Sequence, residues 1–128
     1  MKYLCLVHCD EAVIRTMPPD ELRALNEESM AYDRELETSG HFIAAEALES
    51  VAFAKVVQVR DGKRSHVDGP YAEAREQLGG FILIEARDLN AAIQIAGRIP
   101  MARYGAIEVR PIEIIGNTEG NTACDTFA

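Results

Sequence analysis

Cysteine is scarce in this chain: Cys5, Cys9 and Cys124 are the only three among 128 residues. An odd number without framework spacing does not make a secreted disulfide scaffold. If Cys5 and Cys9 share a strand they stand roughly 13 Å apart, beyond disulfide reach. No lysine, arginine or helix start is placed to lower their pKa, so they read as small buried side chains rather than reactive thiols. Positive charge is scarce as well: 13 basic residues face 21 acidic ones, for a net charge of −8. With no basic block, such a chain repels a phosphate backbone, which argues against nucleic-acid binding. No apolar run approaches a membrane span, and the N-terminus has no charged-then-apolar leader, so a cytoplasmic protein without membrane attachment is expected. GxGxxG, phosphate-loop, HxH, HExxH and CxxC patterns are all missing, and neither a cofactor nor a metal is expected.

What is present is an ordinary globular balance, 48% hydrophobic and 27% charged. That is enough for one domain with a real core, near the size at which dimerisation helps. Residues 3–9 (YLCLVHC) are apolar on both faces and predict a central strand. Residues 10–17 read as a connection. Pro18-Pro19-Asp20-Glu21 starts a helix, because proline fits the first turn and acids suit its positive end. Leu22, Leu25, Ser29, Tyr32 and Leu36 then form one helical face, and Gly40 suits a left-handed cap. Residues 41–48 and 54–60 predict strands, and Asp61-Gly62 signals a two-residue hairpin. That turn sets a register of Arg60 with Lys63, Val57 with His66 and Lys55 with Asp68, the last a surface ion pair.

Residues 71–78 predict a short turn of helix, and Gly79-Gly80 a flexible joint. Residues 81–86 (FILIEA) form a strand covered on both faces. Asp88 caps a second helix with Leu89, Ala92, Ile93 and Ala96 as its buried face, ended by Pro100. Residues 107–110 make a last strand that extends toward Ile115. A single domain over residues 1–115 and a polar tail over 116–128 follow. The order is a ferredoxin-like β-α-β-β-α-β plan of the α+β class with an inserted hairpin element. Such a sheet carries helices on one face. The two-sided apolar pattern of residues 81–86 therefore predicts a homodimer, sheet face against sheet face.

The segment from Asp68 to Ala86 (DGPYAEAREQLGGFILIEA) resembles the DGPF-domain family of the YCII-related superfamily. Its run is close to DGPF-A-E-[TS]-K-E-x-[LI]-G-G-[FY]. Tyr71 here replaces the usual phenylalanine, and Ala74-Arg75 the usual Thr-Lys. Met1-Lys2-Tyr3, Ser39-Gly40-His41, Glu46-Ala47-Leu48, Arg98-Ile99-Pro100 and the stretch from Glu108 to Ile112 extend the likeness over residues 1–112. The resemblance implies a dimeric α/β-barrel of ferredoxin-like units. Superfamily relatives suggest a His–Asp pair in a cleft, one branch including a dehydrochlorinase-type enzyme. Family members are also linked to extracytoplasmic-function sigma factors.

The candidate catalytic residues are His41, since histidine is the residue type best suited to pass protons near neutral pH, and Asp68, which would orient it. Each has a structural alternative: His41 as a packing residue bonded to a backbone carbonyl, Asp68 as a turn former or the partner of Lys55. Tyr32, Glu46, Tyr71 and Arg75 are the candidate ligand-binding residues. Two functions follow. One is a small-molecule-binding protein or cofactor-free enzyme, passing a proton in an elimination or isomerisation of a small oxygenated substrate. The other is a non-catalytic regulatory partner of a sigma factor, using the surface around residues 68–78.

Overall fold

A computed structural model of the chain describes residues 1–115. The polar tail and Cys124 lie outside the described residues. The strands are β1 (Lys2–Cys9), β2 (Phe42–Ala47), β3 (Lys55–Arg60), β4 (Lys63–Asp68), β5 (Gln77–Glu85) and β6 (Ala106–Pro111); the α-helices are α1 (Glu11–Arg15), α2 (Pro19–Thr38) and α3 (Leu89–Gly97). Four strands form an antiparallel sheet in the order β2-β5-β1-β6, and β3-β4 is a separate two-stranded sheet.

Alternation along β1 and β5 sorts side chains between the two sheet faces. Tyr3, Cys5, Ile82 and Ile84 point to one side and are buried with Tyr32 and Leu36 of α2, Ala92 and Ala96 of α3, and Ile99. The register pairs Leu4 with Leu83 and Leu6 with Phe81 on the opposite side. These four are only half-buried in the single chain. Arg110 and Glu108, opposite Leu4 and Leu6, supply a charged border.

Helix α2 starts at the expected prolines and ends where Gly40 turns left-handed at φ +84°. His41 N–H then closes the helix end on Leu36 O at 2.8 Å. The hairpin adopts the register set by its turn, with Asp61 and Gly62 both at positive φ and Lys55 Nζ donating to Asp68 at 2.7 Å.

Several local expectations are corrected. Residues 10–17 contain α1, capped by the Asp10 carboxylate on Ala12 N–H at 2.9 Å. Residues 71–76 are irregular rather than helical. Gln77 explains why: its side-chain amide donates to Ala72 O and Ala74 O at 2.8 and 2.9 Å, taking carbonyls that a helical ladder would need. Gly79 and Gly80 are not a joint but lie inside β5, where the register with β1 slips between Val7 and His8. A Cβ on Gly80 would stand 2.8 Å from Glu46 O, so glycine is what allows β2 to close on β5. Leu89 and Ile93 are exposed, and α3 buries Ala92 and Ala96 with Ile95 packed alongside. The shared alanines fit two adjacent stripes, and the one continuing to Ile99 faces the sheet. β6 stops at Pro111 instead of running to Ile115.

Candidate functional site

Between α2 and the sheet lies an open cavity of about 700 Å³. Its apolar walls include Val7, Leu22, Leu25, Ala45, Ile82 and Met101. Along α2, Asn26, Ser29 and Asp33 also line it. Their spacing of three and four residues sets them in a row beside the Leu22–Leu25–Tyr32 row. One helix thus lines the cavity with an oily row and a hydrogen-bonding row side by side.

Asp33 is half-buried, and burial pushes its carboxyl above the ordinary range, with no hydrogen bond or cation among the described residues to offset the loss of water. Glu11, at the cavity mouth, is the opposite case. One oxygen accepts from the Ser50 hydroxyl at 2.9 Å and the other from Val51 N–H at 2.7 Å. The backbone bond first, then the hydroxyl, hold its carboxyl low, with Arg15 adding a smaller attraction. Glu11 therefore ties α1 to the loop after β2 and shapes the opening, leaving Asp33 with unspent hydrogen-bonding capacity.

Both described cysteines are free thiols; Cys5 is buried as expected, whereas Cys9 is only half-buried. Burial pushes Cys5 up to about 11. Cys9, on the cavity wall, is raised by burial and then by Glu11, Glu76 and Asp10. Raised thiols are poor nucleophiles at neutral pH. Among the described residues, no cluster of three His, Cys, Asp or Glu side chains is arranged to hold a metal ion.

Tyr32 and Glu46, two of the expected ligand-binding residues, line this cavity. Tyr32 presents its ring, because its hydroxyl donates to Ile95 O at 2.7 Å. Glu46 is exposed on the edge strand β2, not in a dry pocket. Tyr71 is 88% exposed and lies with Phe53, Pro70 and Leu78 on a second hollow of about 630 Å³ at the hairpin base. Arg75 is exposed and lines neither hollow.

Among the described residues no hydrogen bond joins His41 to Asp68. The His41 Nδ1 is bonded to Glu85 O at 2.8 Å, and the His41 carbonyl accepts from Glu85 N–H at 2.8 Å. This is the packing alternative for that histidine. Asp68 is held by Lys55, and neither His41 nor Asp68 lines either hollow. The φ of +108° at Gly69 makes it a glycine-dependent corner, anchored by its N–H on Ala54 O. Sequence reasoning missed Asn26 and the cavity role of Asp33, and assigned Ser29 to the oily face. The signal for all three was their shared helical spacing.

A strand order of β2-β5-β1-β6, helices on one face and a cavity under the long helix define an α+β domain with a ligand-sized hollow. The chain belongs to the YCII-related domain family, whose family model matches residues 1–115. It is similar to an uncharacterised protein of Rhizobium meliloti (strain 1021), 29% identical over 116 residues that cover 89% of this chain and 94% of the relative.

Proposed function

We propose that this protein binds a small, largely apolar molecule in the cavity between α2 and the sheet. Asp33 receives a hydrogen-bond donor or ammonium group of that molecule. The observation that carries the reading is an apolar hollow of about 700 Å³ containing a half-buried carboxyl with no partner among the described residues. An apolar site with a few convergent polar groups is the usual form of a small-molecule site. A ligand N–H donor supplies the bond Asp33 lacks, whereas a ligand carboxylate meets a like charge.

The proton-transfer version of this function needs His41 and Asp68 in one cleft, and in the single chain each is held elsewhere. Binding is therefore preferred to catalysis. Thermal-shift titration with 4-phenylbutylamine, 4-phenylbutanol and 4-phenylbutyrate tests it. The amine should stabilise most and the carboxylate least, and Ser29→Trp, which fills the hollow, should abolish the shift. Equal shifts for wild type and Ser29→Trp would refute the reading.

The strand order also supports the ferredoxin-like assignment. The half-exposed face of Leu4, Leu6, Phe81 and Leu83 supports a homodimer through sheet faces, and with it the dimeric α/β-barrel of the DGPF branch. A second reading, a regulatory partner of a sigma factor, draws support from the exposed irregular stretch around Tyr71. Sigma-factor capture that survives filling of the cavity by Ser29→Trp would favour it. No described helix is long and apolar enough to cross a membrane; a cytoplasmic location remains part of this proposal.

A further inference from the structure

The β3–β4 hairpin is built unlike the rest of the molecule. It hydrogen-bonds to no strand of the four-stranded sheet. A lone two-stranded hairpin is marginal in water and gains its stability by packing on something. Yet Val57, Val59 and Val67 are 60%, 58% and 63% exposed, and Phe53 at its base is 71% exposed. Val57 and Val59 share one face of the hairpin, whereas Val67 pairs with Val56 on the other; two β-branched side chains left in water on one face form an unfinished surface.

Charge identifies what finishes it. Lys55, Arg60, Lys63 and Arg64 face only Asp61 and Asp68 within the hairpin, leaving it at +2, so the remainder of a chain of net charge −8 carries −10. Of the four cations only Lys55 has an ion-pair partner among the described residues. The body of another copy of the same chain offers this arm an acidic surface of matching charge.

We propose that the β3–β4 hairpin is a docking arm that seats Val57, Val59 and its Arg60–Arg64 tip on the acidic body of a second copy. Two six-residue strands make a face of about 20 Å by 10 Å. That is a fraction of the ~800 Å² that each partner usually contributes to a stable interface. A symmetric exchange of arms counts each protomer's own hairpin plus the surface that receives its partner's, and Phe53 and Tyr71 widen the footprint. The arm adds to the sheet-face pairing proposed above without requiring it, and it is independent of the cavity.

Sedimentation of the full chain over a range of concentration and salt, paired with amide hydrogen exchange, tests the proposal. The wild type should dimerise, with hairpin amides protected in the dimer and fast-exchanging in the monomer. Added salt should weaken the dimer. V57T/V59T keeps strand propensity and should raise the dissociation constant by about tenfold or more, as loss of two apolar contacts does. R60E/K63E/R64E should weaken dimerisation and flatten its salt dependence. A wild type that stays monomeric at high concentration overturns the proposal. So do a dimer whose hairpin amides exchange as in the monomer, and variants that dimerise as tightly as the wild type.

Discussion

Tyr32 of the long helix donates its phenolic hydrogen to the carbonyl of Ile95 at 2.7 Å, fastening α2 to the last turn of α3. The Arg98 guanidinium covers the same ring at 4.9 Å from its centre while forking onto both oxygens of Glu35. One residue thus closes the cavity wall with its ring and joins the two helices with its hydroxyl. Tyr32→Phe should keep the wall and lose the fastening. The expected cost is about 1 kcal/mol, since the Ile95 carbonyl retains a bond from Arg98 N–H. Urea denaturation measures it, and binding of 4-phenylbutylamine should be unchanged.

Gly80→Ala should be far more damaging than its size implies. The added methyl would meet Glu46 O at 2.8 Å and the Ala47 Cα at 3.3 Å, prising β2 from β5. Overpacking of this kind costs about 1–3 kcal/mol. Gly97→Ala is the control, because nothing lies within 4 Å of its Cβ position at the end of α3. That substitution should be neutral or stabilising by up to about 1 kcal/mol. Paired denaturation curves check both.

The pH dependence of stability should carry the sign of Asp33. Burial raises this carboxyl above its ordinary 3.8. Its favourable contribution is therefore complete below the unfolded value and is lost as pH rises through the folded one. Asp33→Asn should be more stable than wild type near neutral pH, with the difference closing as pH falls toward 3.8. Asp88 has the opposite sign. Its bond from Ala91 N–H, and then Arg87, hold its carboxyl low. Its contribution is present above the ordinary value and is lost on acidification. Denaturant midpoints of Asp33→Asn and Asp88→Ala across pH separate the two.

Leu6→Lys places a cation at the centre of the uncovered sheet face, opposite Phe81. If that face pairs with its twin, the variant should dimerise more weakly than the wild type while keeping its far-UV spectrum. A variant that dimerises as tightly as the wild type would remove the sheet-face contact.

Much of the fold was legible because the residues that shape it act locally. Asp61-Gly62 set the hairpin register to the residue, and Pro19 and Gly40 bounded α2. The errors came where one side chain answered to a distant partner. Gln77 unwinds the preceding stretch by bonding its carbonyls, Gly80 serves the approach of β2, and α3 turns to Ile95 because the sheet lies there. The site was harder to read. His41 and Asp68 are conspicuous as residue types, yet backbone and lysine partners occupy them. Asp33 is conspicuous only once the cavity is seen, because in sequence it is one acid among many on α2.

Titration of 4-phenylbutylamine into isotopically labelled protein, followed by methyl resonances, tests the cavity most directly. Saturable shifts should appear at Leu22, Leu25 and Ile82, which line it, and be absent from Asp33→Asn at the same concentrations. Shifts confined to the hollow around Phe53 and Leu78, or none at saturating amine, would contradict a site beneath the long helix.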